Sequence, residues 1–300
     1  MNGLHSHSEE RWTGTISWSA AGADTATSDL IGDRFQQRCL DFERTVNVYD
    51  ADSELSRLNA RSGRWVTVSQ QLSELLHVCV GAAERTDGLV DPLVAHRLAR
   101  LDHPLWGEQP GLNRDGVGID WSHIELEPGR VRIPSGTALD LGALAKAWLA
   151  DQLAAELGAD FGVSVLINMA GDLAIGGPTH DWVVGVDPGR PDAAQQNLLL
   201  SGGGLATSGV GRRRWRSGGA SHHHIIDPRS GETPCAHWWS VSVLAADALT
   251  ANTCSTAAII LGEQAVTWLD HFGVDALLVA EPVLDTGTVS AGRWPVAVAS

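Results

Sequence analysis

Glycine-rich turns divide the second half of the 300-residue chain into short apolar runs, and this pattern limits the fold more than any other feature. The runs are VSVLINMAGDLAIGG, DWVVGVD, LLLSGGGLATSG, HHHIIDP and WWSVSVLAA, and VDALLVAE follows near the end. Short apolar runs between glycines are typical of strands. Helical patterns do not alternate regularly with them. The sequence therefore predicts an α+β fold with meandering, largely antiparallel strands rather than repeated βαβ units.

Other segments complete this prediction. Helices are expected from Ser28 to Phe42, after Ser69, at 251–261 and at 263–272, and a β-hairpin is expected at 124–133. Serine before a helical pattern can accept a hydrogen bond from the first turn. Residues 1–11 are polar and are predicted to be disordered. Without a repeat or linker, residues 12–300 are predicted to form a single domain, which could have two lobes.

Lys146 is the only lysine in the chain. It lies in ALDLGALAKAWLADQLAAELG at 138–158, a predicted helix with Asp140 and Gly142 at its start and Gly158 as its stop. Arginine serves as the cation elsewhere, so a retained lysine indicates a position that needs a compact charge. A helix entrance that contains glycine also suits a phosphate or pyrophosphate. The alternative is a surface helix with one solvated lysine.

Tyr49 is the only tyrosine, although the chain has 12 tryptophans and 4 phenylalanines. A single tyrosine beside an acidic loop is either chance or a flat ring on which a planar ligand can stack. Small polar residues also gather where apolar runs end, where catalytic groups are commonly mounted. These groups are Gly171-Asp172, Thr207-Ser208-Gly209, His222 to Asp227 and Asn252 to Thr256. The residues alone thus predict a domain that binds a phosphorylated, planar ligand.

Composition excludes several classes of protein. A formal charge of -15 disfavours nucleic acid and anionic membranes as partners, because the long-range field repels both. The exception is GRRRWR at 211–216, which is either an anion clamp or a solvated turn. Neither the four scattered cysteines nor the triple histidine has the spacing of a metal site. No apolar leader is seen before residue 12, so a cytoplasmic protein is expected.

Eight motifs in order and at matching spacing make residues 13–281 resemble the FAD:protein FMN transferase family, known as ApbE. The motifs are TGT at 13–15, YDADSELSRLN at 49–59, TDGLVDPLV at 86–94, LDLGALAKAWLAD at 139–151, INMAGDL at 167–173, ATSG at 206–209, HIIDPRSG at 224–231 and ANTCSTAAIILG at 251–262. The resemblance implies a T-fold-like α+β architecture with an FAD groove between lobes. It also implies a magnesium-dependent enzyme that transfers FMN from FAD to a threonine hydroxyl of a target protein and releases AMP. The implied target motif is Asp…(Ser/Thr)-Gly-Ala-Thr.

The resemblance also assigns residues to the site. Tyr49 matches the aromatic residue that stacks on the flavin, and His224 and Lys146 are the predicted catalytic residues. The predicted FAD-binding residues are Thr13, Tyr49, Val90, Asp91, Pro92, Asp140, Lys146 and His224. The predicted ligands of Mg²⁺ are the Ala143 carbonyl, Asn252 and Thr256.

The chain departs from the family pattern at several of its motif positions. Asn252 stands where the family has a metal-binding aspartate. Thr13, Leu93, Ala147 and Ala170 also stand where methionine, threonine, glycine and glycine are usual. The alternatives to FMN transfer are a flavin-binding protein with reduced transfer and an FAD pyrophosphatase in which water replaces the threonine.

Overall fold

A computed structural model describes residues 3–115, 118–190, 192–235, 237–282 and 287–298. The chain divides into two compact units, each discontinuous in sequence. Unit 1 comprises Met1–Leu40, Lys146–Gly209 and Ala236–Ser300, and unit 2 comprises Asp41–Ala145 and Val210–Cys235. The predicted domain at 12–300 thus contains parts of both units.

The described residues form fifteen strands and seven α-helices. The strands are β1 (Gly3–Arg11), β2 (Gly14–Ala23), β3 (Val66–Thr67), β4 (Glu125–Glu127), β5 (Arg130–Arg132), β6 (Ser164–Met169), β7 (Asp172–Gly176), β8 (Trp182–Val186), β9 (Gln196–Leu200), β10 (Gly203–Gly209), β11 (Arg214–Ser217), β12 (Ala220–His223), β13 (Trp238–Ala245), β14 (Asp275–Ala280) and β15 (Thr288–Ala291). The helices are α1 (Thr25–Val46), α2 (Glu54–Asn59), α3 (Gln70–Arg85), α4 (Ala95–Arg100), α5 (Ala145–Phe161), α6 (Ala248–Leu261) and α7 (Ala265–Phe272), with 3₁₀ turns at Trp121–His123 and Gly262–Gln264.

Unit 1 is built on an eight-stranded sheet in the order β1-β2-β6-β7-β10-β13-β14-β15. Neighbouring strands of this sheet pair antiparallel. Strands β8 and β9 form a separate hairpin. The prediction of an α+β fold with a largely antiparallel sheet is confirmed.

Helix α6 packs against β10 and β13 and is buried almost all round. Its sequence, ALTANTCSTAAIIL, contains no charged residue, as expected of a helix inside a core. Gly204 makes the close packing possible, because a Cβ there would lie 2.1 Å from the Ala248 nitrogen. The first turn of α6 is capped by Asp247, which accepts from the Thr250 N–H at 2.6 Å. Helix α6 is therefore a fixed support for its side chains.

The predicted helix at 138–158 is displaced in the structure. Helix α5 begins at Ala145 and continues past Gly158 to Phe161, so the prediction of Gly158 as its stop was wrong. A Cβ at Gly158 would lie 2.4 Å from the Gly177 nitrogen. This glycine is needed for close packing, and Gly162, with φ of 63°, follows the end of the helix.

The N-terminal predictions also need correction. Residues 1–11 were expected to be disordered, but Gly3–Arg11 is strand β1, paired along its length with β2, while residues 1 and 2 lie outside the described residues. Strand β1 is the edge of the sheet and most of its side chains are exposed, so a polar sequence suits it. Helix α1 begins before the expected Ser28, because the Asp24 carboxylate accepts from the Thr27 N–H at 2.8 Å.

Unit 2 contains the three-stranded sheet β3-β5-β4 and the two-stranded ribbon β11–β12. The hairpin predicted at 124–133 is confirmed as β4 and β5. Ser69 caps α3 as predicted, accepting from the Leu72 N–H at 3.2 Å. A buried cluster that includes Leu98, Trp106 and Ile226 packs around α4. Across the described residues of both units, every helix is too short or too polar to cross a lipid bilayer.

Candidate functional site

Three polar side chains from separate elements of unit 1 meet at Asp172, the first residue of β7. Lys146 Nζ, from the first turn of α5, lies 3.4 Å from Asp172 Oδ2. Asn252 Nδ2, from α6, donates to Asp172 Oδ1 at 2.7 Å. The Asp172 side chain is only 4% exposed and that of Lys146 16%. Lys146 is therefore a largely buried partner of a carboxylate, which argues against the solvated surface lysine.

Hydroxyl groups extend this contact toward β10. Thr256 follows Asn252 by one turn of α6, and its Oγ1 lies 3.4 Å from Asn252 Oδ1. Ser208 Oγ lies 3.0 Å from Thr256 Oγ1 and 2.8 Å from Ser255 Oγ. We name these six residues the Asp172 cluster: Lys146, Asp172, Ser208, Asn252, Ser255 and Thr256.

The Asn252 amide has one orientation in this cluster. Its nitrogen is held by Asp172, so its oxygen points toward Thr256. Two neutral oxygens therefore lie side by side on α6. The second oxygen of Asp172 accepts no hydrogen bond from the described residues and has Lys146 as its ionic partner. Oxygen donors beside a buried carboxylate fit the preferences of Mg²⁺.

The candidate Mg²⁺ site contains few charged ligands. No group of three or more His, Cys, Asp or Glu side chains in the described ranges is placed to hold a metal ion. Mg²⁺ commonly uses few protein carboxylates and takes its other ligands from water and substrate phosphates. Asn252 and Thr256 therefore fit such a cation as neutral oxygen donors.

A second group of predicted residues lines a small cavity in unit 2. We name it the Asp91 cavity. It is lined by Cys79, Val90, Asp91, Pro92, Asp140, Leu141, Ala143 and Leu144. Four of the predicted FAD-binding residues, Val90, Asp91, Pro92 and Asp140, and the predicted metal ligand Ala143 are thus brought together. The Asp140 N–H donates to the Pro92 carbonyl at 2.9 Å and joins the two segments.

The segment around Asp140 is a turn before α5, not the first turn of a helix as predicted. Asp140 accepts from the Gly142 N–H at 2.9 Å and from Trp106 Nε1 at 2.7 Å. Asn59 holds the preceding residue, since its amide donates to the Leu139 carbonyl at 3.0 Å and accepts from the Leu139 N–H at 2.8 Å. Both Asp140 oxygens are therefore engaged within unit 2.

Asp91 is a buried carboxylate that braces its own loop. It accepts from the Leu93 N–H at 2.8 Å, and Arg97 Nη1 lies 3.4 Å away. Burial raises the pKa of Asp91 to about 6, and the Leu93 N–H and the Arg97 charge oppose this rise. The side chain consequently stabilises the loop that carries Val90 and Pro92.

The remaining predicted residues occupy distinct places. Thr13 lies in the tight turn between β1 and β2 with φ of 65°. Tyr49 is 78% exposed, and its N–H donates to Asn47 Oδ1. His224 follows β12 and is half-buried, whereas His222 and His223 are buried. Burial lowers the pKa of His223 to about 4.

Reasoning from the sequence missed the connecting residues. Asp172 and Ser208 were singled out as small polar residues at the ends of apolar runs, but no role was assigned to them. Trp106 and Asn59, which fix the Asp140 turn, were not singled out. Asn59 ends the YDADSELSRLN motif, so its place in that motif is the signal that could have found it.

Comparison with known proteins places this geometry in a family. A family model described as the ApbE family matches residues 12–278. The FAD:protein FMN transferase of Treponema pallidum is 29% identical over 265 residues, which are 79% of this chain and 73% of that protein. The enzyme of the same name from Haemophilus influenzae is 26% identical over 271 residues, 81% of this chain and 76% of that protein. The crystal structure of the ApbE protein from Thermotoga maritima superposes with a TM-score of 0.83 at 23% identity, covering 97% of this chain and 98% of that one. Because the family model spans most of its length, the chain belongs to the ApbE family.

Proposed function

We propose that this protein is an FAD:protein FMN transferase that moves FMN from FAD to a threonine hydroxyl of an acceptor protein. Its relatives in Treponema pallidum and Haemophilus influenzae carry that name. The observation that supports the proposal most strongly is the Asp172 cluster. There, one buried carboxylate contacts the only lysine of the chain and orients the Asn252 amide, whose oxygen lies beside Thr256 Oγ1.

The reaction breaks the bond between the FMN phosphorus and the oxygen that bridges to AMP. The threonine oxygen forms the new bond to phosphorus, AMP leaves with the bridging oxygen, and the hydroxyl proton passes to a base. Phosphoryl-type transfer depends on neutralising phosphate oxygens and aligning the hydroxyl. Lys146 supplies a positive charge of the compact kind that this requires. His224 is our candidate for the base.

A bound Mg²⁺ would neutralise charge that develops on the phosphate oxygens. In this chain Asn252 Oδ1 and Thr256 Oγ1 would contribute to holding it, and Asp172 would keep the Asn252 amide in the required orientation. Residues that orient a metal ligand in this way commonly change metal affinity by about 10–100-fold when they are removed. Asp172 therefore has a positioning role in the proposed site.

Incubation with FAD, Mg²⁺ and an acceptor that carries the Asp…(Ser/Thr)-Gly-Ala-Thr motif tests the proposal. We expect the intact mass of the acceptor to rise by one FMN, with release of AMP in equal amount. An acceptor whose final threonine is replaced by valine is the control. Release of AMP and free FMN without a mass gain would instead identify a pyrophosphatase, and FAD binding without AMP release would identify a flavin-binding protein.

Lys146 offers an internal check on the same assay. We expect Lys146→Ala to lower transfer by about tenfold or more, because an uncompensated phosphate charge remains, and Lys146→Arg not to restore it fully. Circular dichroism and thermal unfolding of both variants establish that they are folded. Normal transfer by a folded Lys146→Ala protein would remove Lys146 from the proposed site.

A further inference from the structure

Two β-ribbons in unit 2 each present a pair of arginines two residues apart. Ribbon β4–β5 carries Arg130 and Arg132, and ribbon β11–β12 carries Arg214 and Arg216; all are exposed except Arg132, which is half-buried. Two more exposed arginines, Arg212 and Arg213, immediately precede β11. The two ribbons therefore differ little in the type of charge that they display, but they differ in how that charge is compensated.

On the β4–β5 ribbon the charge is neutralised within the unit. Arg130 Nε donates to Glu127 Oε2 at 2.7 Å, and Arg132 Nε donates to Glu125 Oε1 at 2.6 Å. Both guanidinium groups also lie over the Trp65 ring, at 4.8 and 5.2 Å from its centroid. This ribbon leaves little unsatisfied positive charge.

On the β11–β12 ribbon the arginines are not paired with carboxylates of the described residues. None of Arg212, Arg213, Arg214 and Arg216 forms an ion pair within the described part of the chain, and Arg214 has only a 3.5 Å contact with Ser221 Oγ. The chain has 36 acidic residues against 21 lysines and arginines, so carboxylates are abundant. Four arginines within five residues that lack a carboxylate partner are unexpected in so acidic a chain. We call β11–β12 with these four residues the arginine ribbon.

The arginine ribbon is held in place by its inward face. Trp215 Nε1 donates to the Leu101 carbonyl at 2.7 Å, and the Trp215 ring stacks on His222 at 5.6 Å between centroids. Ser217 Oγ donates to Asp102 Oδ2 at 2.6 Å. Successive side chains of a strand point to opposite faces, so Arg214 and Arg216 project away from this anchored face. The positive surface is thus presented on a fixed scaffold.

The spacing favours one kind of anion. Residues two apart on a strand are separated by roughly 6.5–7 Å, which matches alternate carboxylates of another extended chain. The two phosphates of FAD share one bridging oxygen and are much closer together. Guanidinium groups also pair with carboxylates through two parallel hydrogen bonds. The surface therefore suits an extended acidic peptide better than a pyrophosphate.

We propose that the arginine ribbon binds an acidic segment of the acceptor protein and brings it to the enzyme. This rests on the proposed transfer of FMN to a protein. Because the rest of the protein is strongly acidic, the ribbon would oppose the general repulsion of an acidic partner. Exposed charges of this type act chiefly on the rate of encounter and are weakened by salt.

The test compares Arg214→Gln/Arg216→Gln with the matched variant Arg130→Gln/Arg132→Gln in the full chain. We expect the first pair to raise the KM for the acceptor by about fivefold at low salt, as two exposed charge pairs predict, and to leave the Kd of FAD unchanged. The second pair should leave both quantities unchanged. The difference should shrink as NaCl is raised, because exposed charges are screened.

A binding assay separates this inference from the proposed function. A fluorescein-labelled peptide of ten glutamates is titrated with wild-type protein and both variants, and its anisotropy is followed. Binding that only the Arg214→Gln/Arg216→Gln variant loses supports the ribbon, even if no FMN transfer is found. No binding by the wild type, equal loss in both variants, or a weakened Kd of FAD with unchanged acceptor KM would overturn it.

Discussion

The Asp172 cluster and the Asp91 cavity are held in different ways. In the cluster, side chains from β7, β10, α5 and α6 contact one another directly and are largely buried. In the cavity, the Val90–Pro92 and Asp140–Ala143 segments are turns, and a backbone hydrogen bond joins them. The side chains of the cluster therefore both stabilise the fold of unit 1 and form the candidate site. Those of the cavity mainly shape loops on which a ligand can be received.

This difference predicts how each region responds to substitution. A change in the Asp172 cluster should alter stability and metal affinity together, because the same contacts serve both. A change at an exposed loop residue of unit 2, such as Tyr49, should alter ligand affinity without altering stability. The following predictions are arranged to contradict or refine that contrast.

The largest effect is expected for Asp172→Ala. The substitution leaves the Lys146 ammonium and the Asn252 amide without their partner, and breaking a buried pair costs about 3 kcal/mol. Urea unfolding should show that loss. Asp181→Ala, at an exposed position of unit 1, is the control and should change the unfolding free energy by less than about 0.5 kcal/mol. Equal, small losses for both variants would show that the cluster does not stabilise unit 1.

Asp91 gives the next effect, and its sign follows from its raised pKa. The unfolded carboxyl ionises near pH 3.8, whereas the folded one keeps its proton up to about pH 6. Asp91 thus contributes stability that is complete below the unfolded pKa and is lost as pH rises through the folded pKa. Relative to Asp91→Asn, the wild type should lose roughly 2–3 kcal/mol between pH 4 and 7.

The measurement is the difference in unfolding free energy between wild type and Asp91→Asn across that pH window. Asparagine still accepts from the Leu93 N–H, so the loop contact is retained. Asp151→Asn is a parallel case in unit 1, because burial also raises the pKa of Asp151 to about 6 while it caps α6. A difference that grows in favour of the wild type as pH rises would mean that Arg97 dominates over burial.

The elements of the fold could be predicted from sequence wherever local chemistry decides them. Ser69 predicts the start of α3, and the Pro128-Gly129 turn predicts the hairpin of β4 and β5. Strand β1 could not be recognised, because its polar residues need only the backbone of β2 as a partner. Gly158 was misread for a related reason: its partner, Gly177, is brought to it only by the packed fold.

The candidate site shows the same limit. The resemblance selected Lys146, Asn252 and Thr256, and the structure brings them together. The Asp172 carboxylate, which contacts Lys146 and Asn252, is 80 residues from Asn252 along the chain. No local pattern relates such distant residues, and the spacing of the motifs alone does not reveal which side chain accepts a hydrogen bond from which.

Asn252→Asp should have a smaller and metal-dependent effect. Asn252 Nδ2 now donates to Asp172 at 2.7 Å, so a carboxylate at position 252 would face another negative charge. Without Mg²⁺ we expect a loss of about 1–2 kcal/mol, since a hydrogen bond becomes a repulsion. With Mg²⁺ we expect the half-saturating concentration to fall by about tenfold, because the cation prefers charged oxygen donors.

Thermal unfolding with and without Mg²⁺ checks both parts of this prediction. The variant should be less stable than the wild type without the ion and should gain more from it. The double variant Asp172→Asn/Asn252→Asp restores an amide–carboxylate hydrogen bond with the charge moved to α6, so it should recover stability. No change in Mg²⁺ dependence for Asn252→Asp would remove this residue from the proposed metal site.

The smallest effect is expected at Tyr49, in the exposed part of unit 2. Stacking on a flavin ring is worth about 0.5–1.5 kcal/mol beyond burial, so Tyr49→Ala should raise the Kd of FAD by about two- to tenfold. Because the side chain is 78% exposed, the unfolding free energy should hardly change, in contrast to Asp172→Ala. Tyr49→Phe keeps the ring and should bind FAD as the wild type does.

Flavin fluorescence titration measures the Kd of FAD for all three proteins. An equal loss for alanine and phenylalanine would assign the contact to the hydroxyl group, and no loss for alanine would place the flavin elsewhere.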